Sequence, residues 1–134
     1  VLRGRGAFLF EYGHSLHKSF LYGDSNKYLE EACRYSSDPM VLNVMGKNYQ
    51  EQHCYEQAEK FFYRAIHRLP GRIYPYYLLA NLYAEPDFYK PDKLKEAADS
   101  VLTKEPKVHS TAIDEMRSEV REILKRKDKC EIKK

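Results

Sequence analysis

Two histidines on one predicted helix are the residues best spaced for metal chemistry. His14 and His17 are three residues apart, which can place both side chains on one helix face. No third ligand is evident nearby in the sequence, since a carboxylate such as Glu11 is common on any surface. The sequence therefore predicts no metal site, and no cofactor is expected.

The cysteines give no prediction of catalysis. Cys54 follows His53 directly, but adjacency in sequence does not position a base against a thiol. Cys33, Cys54 and Cys130 form neither a CxxC pair nor a zinc-binding spacing. An odd count argues against a disulfide framework, although it does not decide the cellular compartment. We expect no catalytic residue in this chain.

A basic cluster could instead bind an anion. Arg64, His67, Arg68 and Arg72 lie close together in sequence, with Glu56 and Glu59 before them. Because acidic side chains accompany the basic ones, we interpret the cluster as a solvated helix face. The net charge of +3, from 23 basic and 20 acidic side chains, is also too small to predict nucleic-acid binding.

The length and hydropathy of the chain indicate one domain and no membrane insertion. The chain has 134 residues, enough for a continuous core. No apolar run approaches the roughly 18 residues of a membrane helix. The chain does not begin with Met and shows no signal-peptide pattern, so we interpret it as a fragment of a longer protein.

The elements that must position these residues follow from the stretch between Pro39 and Pro70. Small and aromatic residues recur there at helical spacing: Leu42, Met45, Gly46 and Tyr49, then Ala58, Phe62 and Ala65. This spacing predicts two helices that cross at Gly46 and Ala58, with Tyr49 and Phe62 beside the contact. The pattern resembles the tetratricopeptide repeat (TPR), with Leu42 where Trp is common and Met45 where Leu is common.

Two weaker copies of the pattern flank the central one. The earlier copy has Leu9, Tyr12, Gly13 and Leu16, and the later copy has Tyr76, Leu79, Ala80 and Tyr83 followed by Leu94, Ala98, Val101 and Pro106. We therefore predict an all-α fold, a right-handed superhelix of about three TPR helix hairpins plus a C-terminal capping helix. The repeats span about 7–38, 39–72 and 73–106, and the turn at 85–92 lengthens the third.

The predicted boundaries come from capping residues and composition. Asp24 or Ser25 is expected to cap the second helix, and Asp38 with Pro39 to start the third. Thr111 with Asp114 resembles a capping box for a helix over 110–127 whose apolar stripe covers the end of the repeats. The TPR domain is thus predicted over 7–127, between a flexible tail at 1–6 and a basic tail at 128–134.

In such repeats the first helix of each hairpin lines a concave groove. Helical spacing predicts nine groove-lining residues: Phe10, His14, His17, Asn43, Lys47, Gln50, Tyr74, Tyr77 and Asn81. Their amides, cation and aromatic surface suit a protein or peptide ligand, although an unused solvated face is the alternative. A set of cations that grips a terminal carboxylate is not expected, because Asn43 stands where a Lys would be needed.

A narrower resemblance concerns residues 72–85 (RIYPYYLLANLYAE) and 102–124, with the junction KEPKV followed by STAI and EMR. These segments resemble the C-terminal repeat region of O-antigen ligase or polymerase-like membrane proteins of Bacteroidetes. The resemblance implies an accessory periplasmic or extracytoplasmic domain of an inner-membrane protein, with polysaccharide-assembly proteins as possible partners. The family's catalytic residues lie in the membrane body, so none is carried onto this chain.

These observations favour a non-catalytic protein–protein interaction scaffold. Two alternatives stay open at the level of sequence. One is a free cytoplasmic TPR adaptor that binds a peptide tail of a partner protein. The other is a carbohydrate-binding module that uses the twelve tyrosines of the chain.

Overall fold

The chain folds into α-helices joined by short turns. A computed structural model describes residues 4–35, 38–106 and 108–132, with side chains to residue 128. The described residues form seven α-helices and no strand, which confirms the all-α prediction. The helices are α1 (Arg5–Lys18), α2 (Tyr22–Ala32), α3 (Pro39–Glu51), α4 (Tyr55–Arg68), α5 (Tyr74–Tyr83), α6 (Pro91–Thr103) and α7 (Thr111–Ile132).

The helices are grouped in two units, divided between Pro70 and Gly71. In the first unit, α1 packs on α2 and α3 on α4, while α2 and α1 also contact α3. In the second unit, α5 packs on α6, and α7 contacts both of them. The predicted hairpins α1–α2, α3–α4 and α5–α6 are therefore all present.

A glycine permits the close crossing of the two helices in each hairpin of the first unit. A Cβ atom on Gly46 would lie 2.4 Å from Cε1 of Phe62, and one on Gly13 would lie 2.8 Å from the Leu29 side chain. Both distances are shorter than van der Waals contact allows. The predicted crossing at Gly46 is confirmed, with Phe62 and Ala58 fully buried beside it.

Each unit has its own buried apolar residues. In the first unit, Leu9, Leu29, Ala32, Val41, Val44 and Met45 form one cluster, against which Phe10, Tyr28, Cys33 and Phe61 pack. In the second unit, Tyr83, Leu94 and Val101 are buried, together with Val120 and Ile123 of α7. The apolar stripe of α7 therefore faces the protein, as predicted for a capping helix.

Asp38 starts α3 as predicted. Its side chain accepts a hydrogen bond from the backbone N–H of Met40 at 2.8 Å, and Pro39 occupies the first turn.

The predicted caps of α2 and α7 are wrong. Helix α2 already begins at Tyr22, so Ser25 lies within the helix and its hydroxyl donates to the backbone oxygen of Gly13 at 2.6 Å. At α7, the carbonyl of Ser110 accepts the first helical bonds. The Asp114 carboxylate lies 3.6 Å from Nε2 of His109, outside the predicted capping box.

The outer boundaries also differ from the prediction. Helix α1 begins at Arg5, inside the predicted tail, and α7 continues to Ile132, through most of the predicted basic tail. Lys, Arg, Glu and Ile continue a helix with little penalty, so a basic composition alone does not end one. Residues 1–3 and 133–134 of the predicted tails, and Lys107 of the KEPKV junction, lie outside the described residues.

The turns inside the hairpins carry a repeated backbone feature. Phe20, between α1 and α2, and His53, between α3 and α4, both have positive φ, at 65° and 62°. Glycine usually occupies this region, because a side chain there meets its own backbone. The corresponding connection of the third hairpin, residues 84–90, is longer as predicted and contains a short 3-10 helix, Pro86–Phe88.

Candidate ligand-binding surface

A row of stacked rings runs along one face of α1. Phe10, His14 and His17 recur at helical spacing. The ring centroids of Phe10 and His14 are 5.6 Å apart, and those of His14 and His17 are 6.2 Å apart, with near-parallel planes. Tyr22 at the start of α2 meets His17 edge-on at 5.7 Å. Three of the predicted ligand-contacting residues therefore form one half-exposed aromatic surface.

Helix α3 adds polar groups beside this row. Asn43, Lys47 and Gln50 follow the same spacing on α3, and α3 packs on α1. Burial lowers the pKa of His14, and the charges of Lys18, His17 and Lys47 lower it further. The Lys47 ammonium is therefore within electrostatic reach of the ring row. Lys47 and Gln50 are half-exposed, so both can contribute to a surface shared by α1 and α3.

Asn43 lies beneath this surface. It is 6% exposed, and its side-chain oxygen has no hydrogen-bond donor among the residues that the structure describes. A ligand cannot contact a side chain this buried without displacing its neighbours. The predicted role of Asn43 in direct ligand contact therefore does not fit its position.

A buried polar network joins α1, α2 and α3 directly under the ring row. The Asn48 amide nitrogen donates to Ser25 Oγ at 2.9 Å and to Asn26 Oδ1 at 2.8 Å. The Asn48 amide oxygen lies 2.6 Å from His17 Nδ1. Because an amide oxygen can only accept, His17 must carry its proton on Nδ1. The network thus fixes both the tautomer and the orientation of a residue at the surface.

Sequence reasoning missed this network. One signal was available in the alignment of the repeats. The position two residues after the small residue holds Asn48 in the second repeat, after Gly46, and Leu82 in the third, after Ala80. Leu82 is fully buried. A polar residue at a position that is apolar in a sister repeat requires buried partners. The identity of those partners could not be read from the sequence, because they lie on α1 and α2.

The predicted residues of the second unit are engaged within that unit. Tyr74 is exposed and stacks on Tyr77 with 6.1 Å between ring centroids. The Tyr77 hydroxyl donates to the carboxylate of Glu119 on α7, and Asn81 Nδ2 donates to the Tyr77 carbonyl at 3.1 Å. Burial and the contact with Glu119 raise the pKa of Tyr77 to about 12. The hydroxyl is therefore protonated at neutral pH and is held by α7.

The nine predicted residues thus fall into two sets. Phe10, His14, His17, Asn43, Lys47 and Gln50 belong to the first unit, and Tyr74, Tyr77 and Asn81 belong to the second. Only the first set combines a continuous aromatic row with a nearby cation. We define the α1–α3 surface as Phe10, His14, His17, Lys47 and Gln50.

The described part of the chain contains no group of three side chains able to hold a metal ion. His14 and His17 instead stack on each other, and His17 Nδ1 is used by Asn48. None of the helices in the described ranges combines the length and apolar character needed to cross a bilayer.

Comparison with known proteins identifies the fold. No family model matches the chain, and no curated protein matches it. Among solved structures, the Sgt2 TPR domain from Aspergillus fumigatus is similar with a TM-score of 0.74 and 15% identity, over 95% of this chain and 83% of that one. PcrH in complex with the chaperone binding region of PopB is similar with a TM-score of 0.73 and 14% identity, over 91% of this chain and 99% of that one. The chain therefore has the helical-hairpin repeat fold of TPR domains.

Proposed function

We propose that the chain is a non-catalytic scaffold that binds an extended peptide segment of a partner protein on the α1–α3 surface. The observation that carries this proposal is the stacked row of Phe10, His14 and His17 beside Lys47. The fold is consistent with the proposal, since the similar PcrH structure contains a bound region of PopB.

The chemistry of the surface suits a peptide with both apolar and acidic side chains. The rings of Phe10, His14 and His17 offer apolar area to a side chain that would otherwise contact water. The ammonium of Lys47 can pair with a carboxylate, and the amide of Gln50 can bond a peptide backbone. Hydrogen bonding to Asn48 holds His17 in place, so its ring loses little freedom when a ligand binds.

The extent of the surface implies weak binding. Two helices of one unit bury less than the roughly 1,200 Å² that marks the small end of specific interfaces. We therefore expect dissociation constants on the order of micromolar, as is usual for transient contacts. Such affinity suits a partner that binds transiently and dissociates readily.

A displayed library of random linear peptides tests the proposal. Peptides selected on the wild-type protein should bind the double variant Phe10→Ala/Lys47→Ala at least about tenfold more weakly, since it removes apolar area and the cation together. The matched control is Glu11→Ala/Lys27→Ala, which changes two exposed residues away from the row. Selected peptides that bind all three proteins equally would refute a site on this surface.

The narrower hypothesis of an accessory domain in an O-antigen ligase- or polymerase-like membrane protein rests on residues 72–85 and on the junction within residues 102–124. Within that junction, Arg117 donates to the backbone oxygens of Val101 and Lys104 at 3.0 and 2.7 Å. The motif therefore has a structural role, because it caps α6 and fixes α7. The hypothesis places the domain outside the cytoplasmic membrane. It requires that the gene encode about ten membrane-spanning segments upstream of Val1. An upstream reading frame that encodes no such segments would favour a free adaptor.

A further inference from the structure

Three basic side chains share one face of α4 at its C-terminal end. His67 and Arg68 follow Arg64 by three and four positions, so each lies beside Arg64 on the helix surface, and all three side chains are exposed. The negative end of the helix dipole accounts for cations in the last turn, which are His67 and Arg68. It does not account for Arg64, which lies before that turn. Clustered like charges also repel one another, so helix formation alone does not explain this arrangement.

The three side chains line a shallow, open cavity. Its volume is about 300 Å³, and its described lining consists of Arg64, His67, Arg68 and Leu42 of α3. Leu42 is only 1% exposed, so the surface that a ligand can reach is that of the three basic side chains. The volume is at the lower end of the range for sites that bind small ligands.

The charge of the two arginines at this cavity is not balanced by a direct ion pair within the described ranges. Among the described residues, Arg64, His67 and Arg68 form no ion pair with a carboxylate. The Arg64 guanidinium instead lies over the Phe61 ring, 4.9 Å from its centroid, which restricts its orientation. Its charge also reaches Cys33, directly after α2, where it opposes the rise in the pKa of the thiol that burial and the charge of Glu30 cause.

We propose that this cavity, defined by Leu42, Arg64, His67 and Arg68, binds the phosphate group of a small phosphate monoester or of a phosphorylated side chain. The two guanidinium groups carry more positive charge than one carboxylate can balance. A phosphate monoester carries a charge of about −1.5 to −2 and three acceptor oxygens, which match the forked donors of arginine. The site lies on α4 and does not depend on peptide binding by the α1–α3 surface.

Titration of the labelled full chain with phenyl phosphate, followed by NMR of the arginine side chains, tests the proposal. Phenyl phosphate should saturate the signals of Arg64 and Arg68. Inorganic phosphate should bind with comparable affinity, because the phosphate group makes the contacts with the two arginines. Benzoate should bind about tenfold more weakly because it carries less charge and fewer acceptors. Equal binding of benzoate and phenyl phosphate would overturn the choice of phosphate.

Variants that remove positive charge distinguish specific binding at this cavity from nonspecific electrostatic attraction to the protein. Arg64→Gln/Arg68→Gln should weaken phenyl phosphate binding about tenfold or more with little change in melting temperature, because both residues are exposed. Arg121→Gln/Arg126→Gln removes the same charge from exposed positions of α7 and should leave binding unchanged. Equal losses in the two variants, or no saturation in the wild type, would overturn the site. A phosphotyrosine peptide that binds more tightly than phenyl phosphate would assign the site to protein segments, and equal affinity would assign it to small esters.

Discussion

Asn48 is the residue on which most of the buried polar contacts of the first unit converge. It uses its amide nitrogen twice and its oxygen once, and its three partners lie on two other helices. Removing one member of such a network leaves the others buried without partners, which costs more than the bonds themselves contribute. A surface residue, His17, therefore depends on a buried one.

Asn48→Ala should destabilise the protein by about 2–4 kcal/mol, because it leaves Asn26 and His17 without a partner and opens a small cavity. His17→Phe keeps a ring at the surface but leaves the buried Asn48 oxygen without a donor, so it should cost about 1–2 kcal/mol, less than Asn48→Ala because only one buried atom loses its partner. Urea unfolding of both variants measures the difference. Similar losses for the two substitutions would show that the network does not depend on Asn48.

Tyr77 gives a prediction about pH. Its pKa is raised from 10 to about 12, so its protonated form is favoured in the folded state. The stability that this shift contributes is complete below pH 10, the unfolded value, and is lost as the pH rises through about 12. The difference in tyrosine absorbance between the wild type and Tyr77→Phe should therefore show a midpoint near pH 12.

Glu119→Ala removes the carboxylate that accepts the hydrogen bond of the Tyr77 hydroxyl, so the midpoint of the Tyr77 titration should fall. It should stay above 10, because burial still raises the pKa of Tyr77. A midpoint near 10 in the wild type would mean that Tyr77 is neither buried nor held by α7.

At the scale of helices, close approach and tight turns set the geometry of the hairpins. The crossing of α3 and α4 tolerates no side chain on Gly46, because Phe62 occupies the space. The turn before α2 places a phenylalanine at positive φ although its side chain is 76% exposed. The glycine at position 46 is therefore required by packing, whereas the positive φ of Phe20 is backbone strain that no burial of its side chain offsets.

Gly46→Ala should cost about 1–3 kcal/mol, because the new methyl group would lie 2.4 Å from the Phe62 ring. Gly71→Ala is the matched control, since a Cβ there would meet nothing within 4 Å. It should be neutral or slightly stabilising, because the unfolded chain loses freedom. Combining Gly46→Ala with Phe62→Leu should recover part of the loss. Thermal unfolding of the three variants measures these effects, and equal melting temperatures would place the crossing elsewhere.

Phe20→Gly should raise the stability by up to about 1 kcal/mol, because glycine adopts positive φ without strain. Phe20→Ala removes the same ring but retains a Cβ, so it separates backbone strain from the lost contact with Tyr22. If the alanine variant is as stable as the glycine variant, the backbone at this turn carries no strain.

At the scale of the molecule, the sequence predicted the repeats but not the contacts between them. Spacing of small and aromatic residues predicts hairpins, since each hairpin is local in sequence, and Gly46 with Phe62 follows from that pattern. The network of Asn48 and the contact between Tyr77 and Glu119 join residues on different hairpins or helices, whose side-chain pairing no local pattern specifies. The division at Pro70 and Gly71 was missed for the same reason, because the repeat period continues across it.

Deletion of α7 should lower the amide protection of the second unit and leave that of the first unit unchanged. Helix α7 buries Val120 and Ile123, and its Arg117 caps α6, so its loss exposes apolar surface and two backbone carbonyls in that unit. The first unit has its own core and contains no α7 residue. A chain ending at residue 110 should therefore lose amide protection in α5 and α6 while α1 to α4 retain theirs, as measured by hydrogen exchange. Arg117→Ala removes only the cap and should reduce protection mainly at the end of α6. Uniform loss of protection throughout the shortened chain would show that the two units unfold as one, whereas unchanged protection in α5 and α6 would show that α7 is not their cap.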